Sequence, residues 1–396
     1  MRSVQGAWIN WPPYQIVCIA LATSLVGTGD LFLYTVLPLH YERLGLTAFQ
    51  VGVLLSINRW VRLVSNVIAH HFLSRGPVLG WLLLMLGLGT LCMLVYSIMT
   101  SFWLLLAARI TWGICFSFLR HVGIFTAMHV ASCGRVMERL GWLRGLSALG
   151  MFGGAFLGGW GYDEFGYTSV LLGFAILSLA ALPFGWLSQT GRASAAAGPA
   201  ADIPLRAAGA RVWLLNGFII GFVGSGILMA TLGLLLQEAM GDQIRMPGGA
   251  VGVATLTGVL LGGRAVLDGL ASPIFGAAFD RVTLRWLEGG LYLLGASVLV
   301  LAGIMFTPWV LIVAVTIVFL CTTSLSLMMT TQAASAGSRT LAAFVTAYDL
   351  GSASGPLIGW SLVHFGLDVR VVIWVAAIAY LMIGIGWIVH AVHPRW

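Results

Sequence analysis

Lysine is absent from this chain: its 20 lysine-plus-arginine residues are all arginine. Charge of either sign is scarce, at 8% of 396 residues, while 59% are hydrophobic; a soluble globular domain carries about 25% charged residues. This excludes a soluble fold and leaves no stretch long enough for a soluble catalytic domain. The five cysteines, Cys18, Cys92, Cys115, Cys133 and Cys321, are scattered without CxxC spacing, which excludes a disulfide framework and a cysteine metal site. No nucleophile and base sit together in a recognisable motif, so neither an enzyme nor a cofactor is expected.

What is there is apolar length. Runs near the ~20 residues that cross a bilayer cover 13–38, 48–73, 77–99, 102–128, 139–164, 167–188, 212–237, 251–278, 286–306, 308–331, 340–365 and 370–392. The expectation is an all-α membrane protein with twelve transmembrane helices. The first run is too long for a signal-peptide core and has no small-residue cleavage site behind it, so it reads as a retained span. With the N-terminus inside, the outer loops hold only Arg43, Arg245 and Arg370, beside Glu42, Asp163, Glu164, Glu238, Asp242 and Asp368. The inner segments hold the other loop arginines, including Arg75, Arg135, Arg192, Arg206 and Arg339. This inside-positive bias places both termini in the cytoplasm, with a bacterial inner membrane as the expected location. The net charge of +7 then reflects topology, and no nucleic-acid partner is expected.

Gln189 to Arg211 is rich in Ala and Gly and contains Pro199 and Pro204, the composition of a flexible linker. The chain thus divides into residues 1–188, a cytoplasmic linker 189–211, and residues 212–396. Six spans on each side give two pseudo-symmetric six-helix bundles of the same orientation. Gly150, Gly154 and Gly158 of span five match Gly351, Gly355 and Gly359 of span eleven, and both helices end in Phe-Gly, at Gly166 and Gly366. A spacing of four puts such glycines on one face, where helices approach closely.

The loop after span eight reads GAAFDR, Gly276 to Arg281, and resembles the GxxxDRxG signature of the major facilitator superfamily. The first-half counterpart has His70 for the usual Gly and Ser74 for the acid, and keeps Arg75 and Gly76. Arg109, Gly113 and Ser117 of span four resemble the family's RxxxGxxxG motif, with Ser for the last Gly. Span five resembles the antiporter motif GxxxGPxxGG with Ala155 for Pro, and a Pro stands instead at Pro356 in span eleven. In their order along twelve spans, these motifs make the resemblance cover essentially the whole chain. It implies that spans 1, 4, 7 and 10 line a central cavity, and that span 2 packs on 11 and 5 on 8. It also implies that an acid in span one and the motif Arg of span four lie near a coupling-ion site.

Eight charges fall inside apolar helices: Asp30, Arg59, Arg62, Arg109, Arg120, Arg264, Asp268 and Asp349. Each costs roughly 2.5–3.5 kcal/mol on insertion scales unless paired or wetted, which makes each a candidate functional residue. Asp30 and Arg109 lie at matching depths, about 10–12 Å from the outer helix ends at the helical rise, and are expected to pair as the proton-coupling site. Tyr34, one turn on, can hydrogen-bond Asp30. Arg62 and Asp349 match near the midplane across the interface of the halves. Arg264 and Asp268 share a face at i, i+4. These four, with Asp280 and Arg281, are the expected interdomain gating residues. Arg59 and Arg120 lack acidic partners: Arg59, facing span eleven, reads as structural, and Arg120 with His121 as a binder of an anionic solute. Span ten supplies hydroxyls, among them Ser326, that can contact a solute or bond their own helix. The spacing of His121 and His129 is too wide for one metal on one helix, and no metal is expected.

The expected function is a secondary active transporter in the lipid bilayer, moving a small organic solute with protons by alternating access. The glycine face of span five and the Asp30 and Arg109 combination favour export slightly over uptake. Proton-linked uptake of an organic anion through Arg120 is the alternative. A non-transporting sensor or assembly factor with the same fold is the alternative of another class, supported by the degraded first-half loop motif.

Overall fold

The structure, a computed structural model, describes residues 11–130, 136–188, 207–246, 249–279 and 284–392. The first half holds α1 (Tyr14–His40), α2 (Ala48–Arg75), α3 (Val78–Ile98), α4 (Phe102–Val130) and α5 (Val136–Phe165). Its sixth span is divided into α6 (Tyr167–Leu179) and α7 (Ala181–Leu187). The second half opens with α8 (Ala207–Ile220), continues through a π-helical segment (Gly221–Leu228) into α9 (Met229–Met240), and then forms an antiparallel hairpin of β1 (Gln243–Met246) and β2 (Gly249–Gly252). It ends with α10 (Val253–Phe279), α11 (Leu284–Met305), α12 (Pro308–Ser335), α13 (Ser338–His364) and α14 (Arg370–Val392). Among the described residues ten spans are long and apolar enough to cross a membrane. The other two, α10 and α13, have 27 residues each, which also suffices in length. The hairpin and the π-helical segment were not expected from the sequence, where an unbroken helix and a loop stood in their place.

Local chemistry sets several helix ends. Thr47 and Gln50 form a reciprocal capping box at the start of α2, with the Gln50 amide donating to Thr47 Oγ1 at 3.3 Å and the Thr47 amide to Gln50 Oε1 at 2.9 Å, so two end amides are satisfied. Gly166 (φ 79°) and Gly366 (φ 76°) follow α5 and α13 in a left-handed conformation that a Cβ penalises. They are repeat-equivalent, so the same chain reversal is used in both halves.

The glycine stripes pack inside their own halves. A Cβ at Gly150, Gly154 or Gly158 of α5 would meet Ser24, Thr28 or Phe32 of α1 within 3 Å. A Cβ at Gly351 or Gly355 of α13 would meet Phe218 or the Gly226–Ile227 backbone as closely. The halves themselves join along α5 with α10 and α2 with α13, the pairings implied by the family resemblance. Gly159 there lies against Ala254, Gly258 against Ala155, and Gly262 against Phe152.

The two ends of this joint differ. Away from the linker, Gly233 of α9 lies against Thr35, Pro38 and Leu39 of α1, and Gly52 of α2 against Trp360 and Pro356 of α13. Asp163 at the end of α5 accepts from the Thr255 amide at 2.8 Å and its hydroxyl at 2.6 Å at the start of α10. Toward the linker, α4 packs on α1, α2, α3 and α5, while α12 packs on second-half elements. His70 and Arg120 of the first half and Thr331 of the second are exposed there. The far end is closed by these contacts; toward the linker α4 and α12 part, each packing within its own half, while α5 and α10 stay in touch, a Cβ at Gly269 coming 2.8 Å from Ala148.

Candidate functional site

Asp30 and Arg109 meet. Arg109 Nη1 lies 2.5 Å from Asp30 Oδ1, with the Arg109 side chain 1% exposed and that of Asp30 17%. Arg109 is fixed from behind, donating from Nε to Leu54 O at 2.8 Å, and Asn58 Nδ2 donates to the same carboxylate oxygen at 3.2 Å. The site thus draws on α1, α2 and α4. Gly113, one turn along α4, makes this possible: a Cβ there would come 2.7 Å from Asn58 O, so the motif glycine lets α4 lie directly on α2. Tyr34 does not reach Asp30. Its hydroxyl donates to Leu55 O at 2.5 Å, because the side chain points from α1 to α2, where its ring lies under Arg59 (5.0 Å) and Arg109 (5.7 Å).

A second cluster sits between the halves. Arg59 of α2 donates from Nη1 to Ser225 O at 2.5 Å in the π-helical segment and to Ser352 O at 2.9 Å in α13. Arg264 of α10 donates to Gly224 O at 2.7 Å and Ser225 Oγ at 2.6 Å, and its guanidinium lies over Phe319 of α12 at 5.0 Å. Met229 Sδ is 3.6 Å from Arg59 Nη2 and 3.9 Å from Arg264 Nη1. Ser225 Oγ also shares a hydrogen bond with the Tyr348 hydroxyl at 2.5 Å. Both arginines are buried. Arg264 and Asp268 do approach, Nε to Oδ2 at 3.7 Å, but Arg264 Nε makes no hydrogen bond and Thr323 of α12 donates to Asp268 Oδ1.

One pairing is corrected. Arg62 and Asp349 form no salt bridge: Arg62 lies over the Phe116 ring at 4.8 Å and its Nε has no hydrogen-bond partner. The reason is geometric. Contact between α2 and α13 runs from Gly52 through Ser56, which donates to Ala353 O at 2.5 Å, to Arg59 on Ser352, and Arg62 is one turn further toward the parted end. Arg59, read as structural and without an acid, holds carbonyls of the other half. Arg120 is exposed and outside both clusters, and His121 is tied to its own helix through Nδ1 and Ser117 O at 2.8 Å. Ser326 is half-buried on α12, where its carbonyl accepts from Thr330 at 2.6 Å. Asp280 and Arg281 lie outside the described residues.

Asn58, Ser225 and Tyr348 were not singled out from the sequence, whereas Thr323 was among the span-ten hydroxyls. A usable signal existed for Arg59 and Arg264: each is the twelfth residue of its helix, counted from Ala48 in α2 and Val253 in α10, so they lie at matching depths in the two halves. Glu288, 1% exposed, is a buried carboxylate that also went unremarked; it accepts from Gln332 Nε2.

The family model of the Major Facilitator Superfamily matches residues 19–340. No curated protein sequence matches the chain. Solved structures do resemble it. A bacterial homolog of the human lysosomal transporter Spinster, in an inward-facing and occupied conformation, has a TM-score of 0.73 at 14% identity, over 96% of this chain and 97% of that one. The nucleoside transporter NupG gives 0.72 at 9% identity, over 95% and 99%. A POT family transporter in complex with 5-aminolevulinic acid gives 0.73 at 12%, over 96% of each chain. At these identities the likeness is one of fold.

Proposed function

Since the chain belongs to the Major Facilitator Superfamily, and is on that ground a multi-pass membrane transporter rather than an enzyme, we propose that it moves a small organic solute coupled to protons. The observation that carries this reading is the Asp30 and Arg109 pair. Its cation is sealed from solvent while its carboxylate is partly open. A buried ion pair survives only with good geometry and further hydrogen bonds, which Leu54 O and Asn58 supply. Protonating Asp30 cancels the attraction that ties α1 to α4, so proton uptake acts on the cavity wall itself. Rocking of the two bundles about the α2 with α13 and α5 with α10 joints then exposes the site alternately.

The arginine bias of the loops supports a linker in the cytoplasm, which makes the parted end the cytoplasmic mouth. Export is the favoured direction, on the glycine face of α5 and the Asp30 and Arg109 combination. The test is solute-dependent proton movement in proteoliposomes under an imposed pH gradient, with sugars, amino acids, monocarboxylates and quaternary amines offered in turn. Asp30→Asn is expected to abolish the proton-coupled flux while leaving the folded protein intact. Full activity of that variant removes Asp30 from coupling, and no solute-driven proton movement with any of the four classes sinks the transporter mechanism.

A further inference from the structure

Between the halves lies a region of uncompensated positive charge. Arg59 and Arg264 are both buried there, and the carboxylate beside them is Asp268. Asp30 is spent on Arg109. Around Ser225, Arg59 binds only neutral atoms, the carbonyls of Ser225 and Ser352 and the Met229 sulfur. Arg264 binds Gly224 O and Ser225 Oγ, and Asp268, the one carboxylate beside it, stands at 3.7 Å from an Nε that makes no hydrogen bond. Two buried guanidiniums thus converge on Ser225 and Met229, and one acid, Asp268, stands beside Arg264. Like charges held that close in a dry site repel, and the cluster gains from one further negative charge.

We infer that the solute is an organic anion and that its carboxylate is held between Arg59 and Arg264. This rests on the transporter reading and gives it a substrate class. The planar forks of two arginines match the two oxygens of a carboxylate, and Ser225 Oγ and the Tyr348 hydroxyl, which share one hydrogen bond, leave one further O–H donor at the same point. Two arginines with Asp268 leave a single positive charge, which a carboxylate cancels; a phosphate monoester, at about −1.5 to −2, overshoots. Access is available from the parted end: the Asp268 side chain is 47% exposed although it sits mid-helix in α10, and Tyr348 is half-buried. The placement of the two arginines on different halves adds a mechanical consequence. One anion bridging them touches both halves, and it draws on the donors that now tie Arg59 to Ser225 and Ser352. Substrate binding and loosening of the joint therefore share one side chain.

The test uses the full-length protein in nanodiscs, with lactate and benzoate as probes and lactamide and benzamide as their neutral counterparts, read by thermal stabilisation. At least one carboxylate is expected to raise the melting temperature, its amide not to. Arg59→Gln and Arg264→Gln are each expected to raise the half-saturating concentration about tenfold or more. Arg59→Lys and Arg264→Lys, which keep the charge and lose the fork, fall between, and they carry the test if a Gln variant does not melt cooperatively. Stabilisation by the amides, no stabilisation by either carboxylate, or undiminished binding in the arginine variants overturns the assignment. Carboxylate binding without flux in proteoliposomes rejects the transporter reading and leaves the site standing; flux confined to neutral or cationic solutes does the reverse.

Discussion

The two buried arginine clusters are built from the same residue and hold opposite kinds of partner. Arg109 is neutralised by a carboxylate of its own half, at 2.5 Å, and sealed to 1% exposure. Arg59 and Arg264 hold backbone carbonyls, a hydroxyl and a sulfur, and Arg59 does so across the joint. An ion pair within one bundle travels with it as a unit when the bundles rock. Under the proposed rocking, carbonyl bonds across the joint are remade in each cycle, and neutral acceptors make that cheaper, since no carboxylate is left alone when they part. The comparison teaches that Arg59, the arginine that reaches across the joint, holds neutral partners, whereas Arg109, inside one bundle, holds a carboxylate.

The largest effect tests the sealed pair. Arg109→Ala leaves Asp30 without its cation and is expected to cost about 3–5 kcal/mol of stability, seen as a lowered melting temperature in detergent. The double variant with Asp30→Ala should cost less than the sum of the two single changes; strict additivity breaks the account. A matched pair of glycines sharpens the contrast between inside and across. At Gly351 a Cβ would come 2.0 Å from Phe218 O within the second half, and at Gly159 one would come 2.1 Å from Ala254 O across the joint. Each Ala substitution overpacks by about 1–3 kcal/mol, but only Gly159→Ala should also shift the separation of the halves, measured between spin labels at the linker ends of α4 and α12. Equal separations in both variants would dissolve the distinction. The smallest effect concerns Arg62 and Asp349, which stand apart here. Their double-mutant coupling in the state parted at the linker end should lie within about 0.5 kcal/mol of zero, and a larger coupling would show that they pair in this state.

Much of the fold could be read from composition, because bilayer-crossing length and the recurrence of Gly150, Gly154 and Gly158 at Gly351, Gly355 and Gly359 are properties of the chain itself. Asp30 with Arg109 and Arg264 with Asp268 were found from depth and from i, i+4 spacing, which constrain position along a helix axis. Arg62 with Asp349 shows the limit of the same argument. Depth carries no information about the angle around the helix or about which end of the joint is open. Arg59 was opaque for another reason: its partners are main-chain oxygens of Ser225 and Ser352, and every residue has one. Asn58 and Tyr348 escaped notice as neutral residues, which matter only because a charged one is beside them.

The π-helical segment also governs phase. Three glycines of the seventh span meet α13: a Cβ at Gly217 would lie 2.6 Å from Phe344 O, at Gly221 2.1 Å from Tyr348 O, and at Gly226 2.9 Å from Gly355 Cα. The first interval is four residues, that of an α turn, and the second is five, that of a π turn. The inserted residue works as a vernier. It keeps the glycine edge in register with α13 and turns Ser225 out of that edge, where an uninterrupted α-helix would have required a glycine. One extra residue thus lets a single helix face both the neighbour it packs against and the arginines it serves.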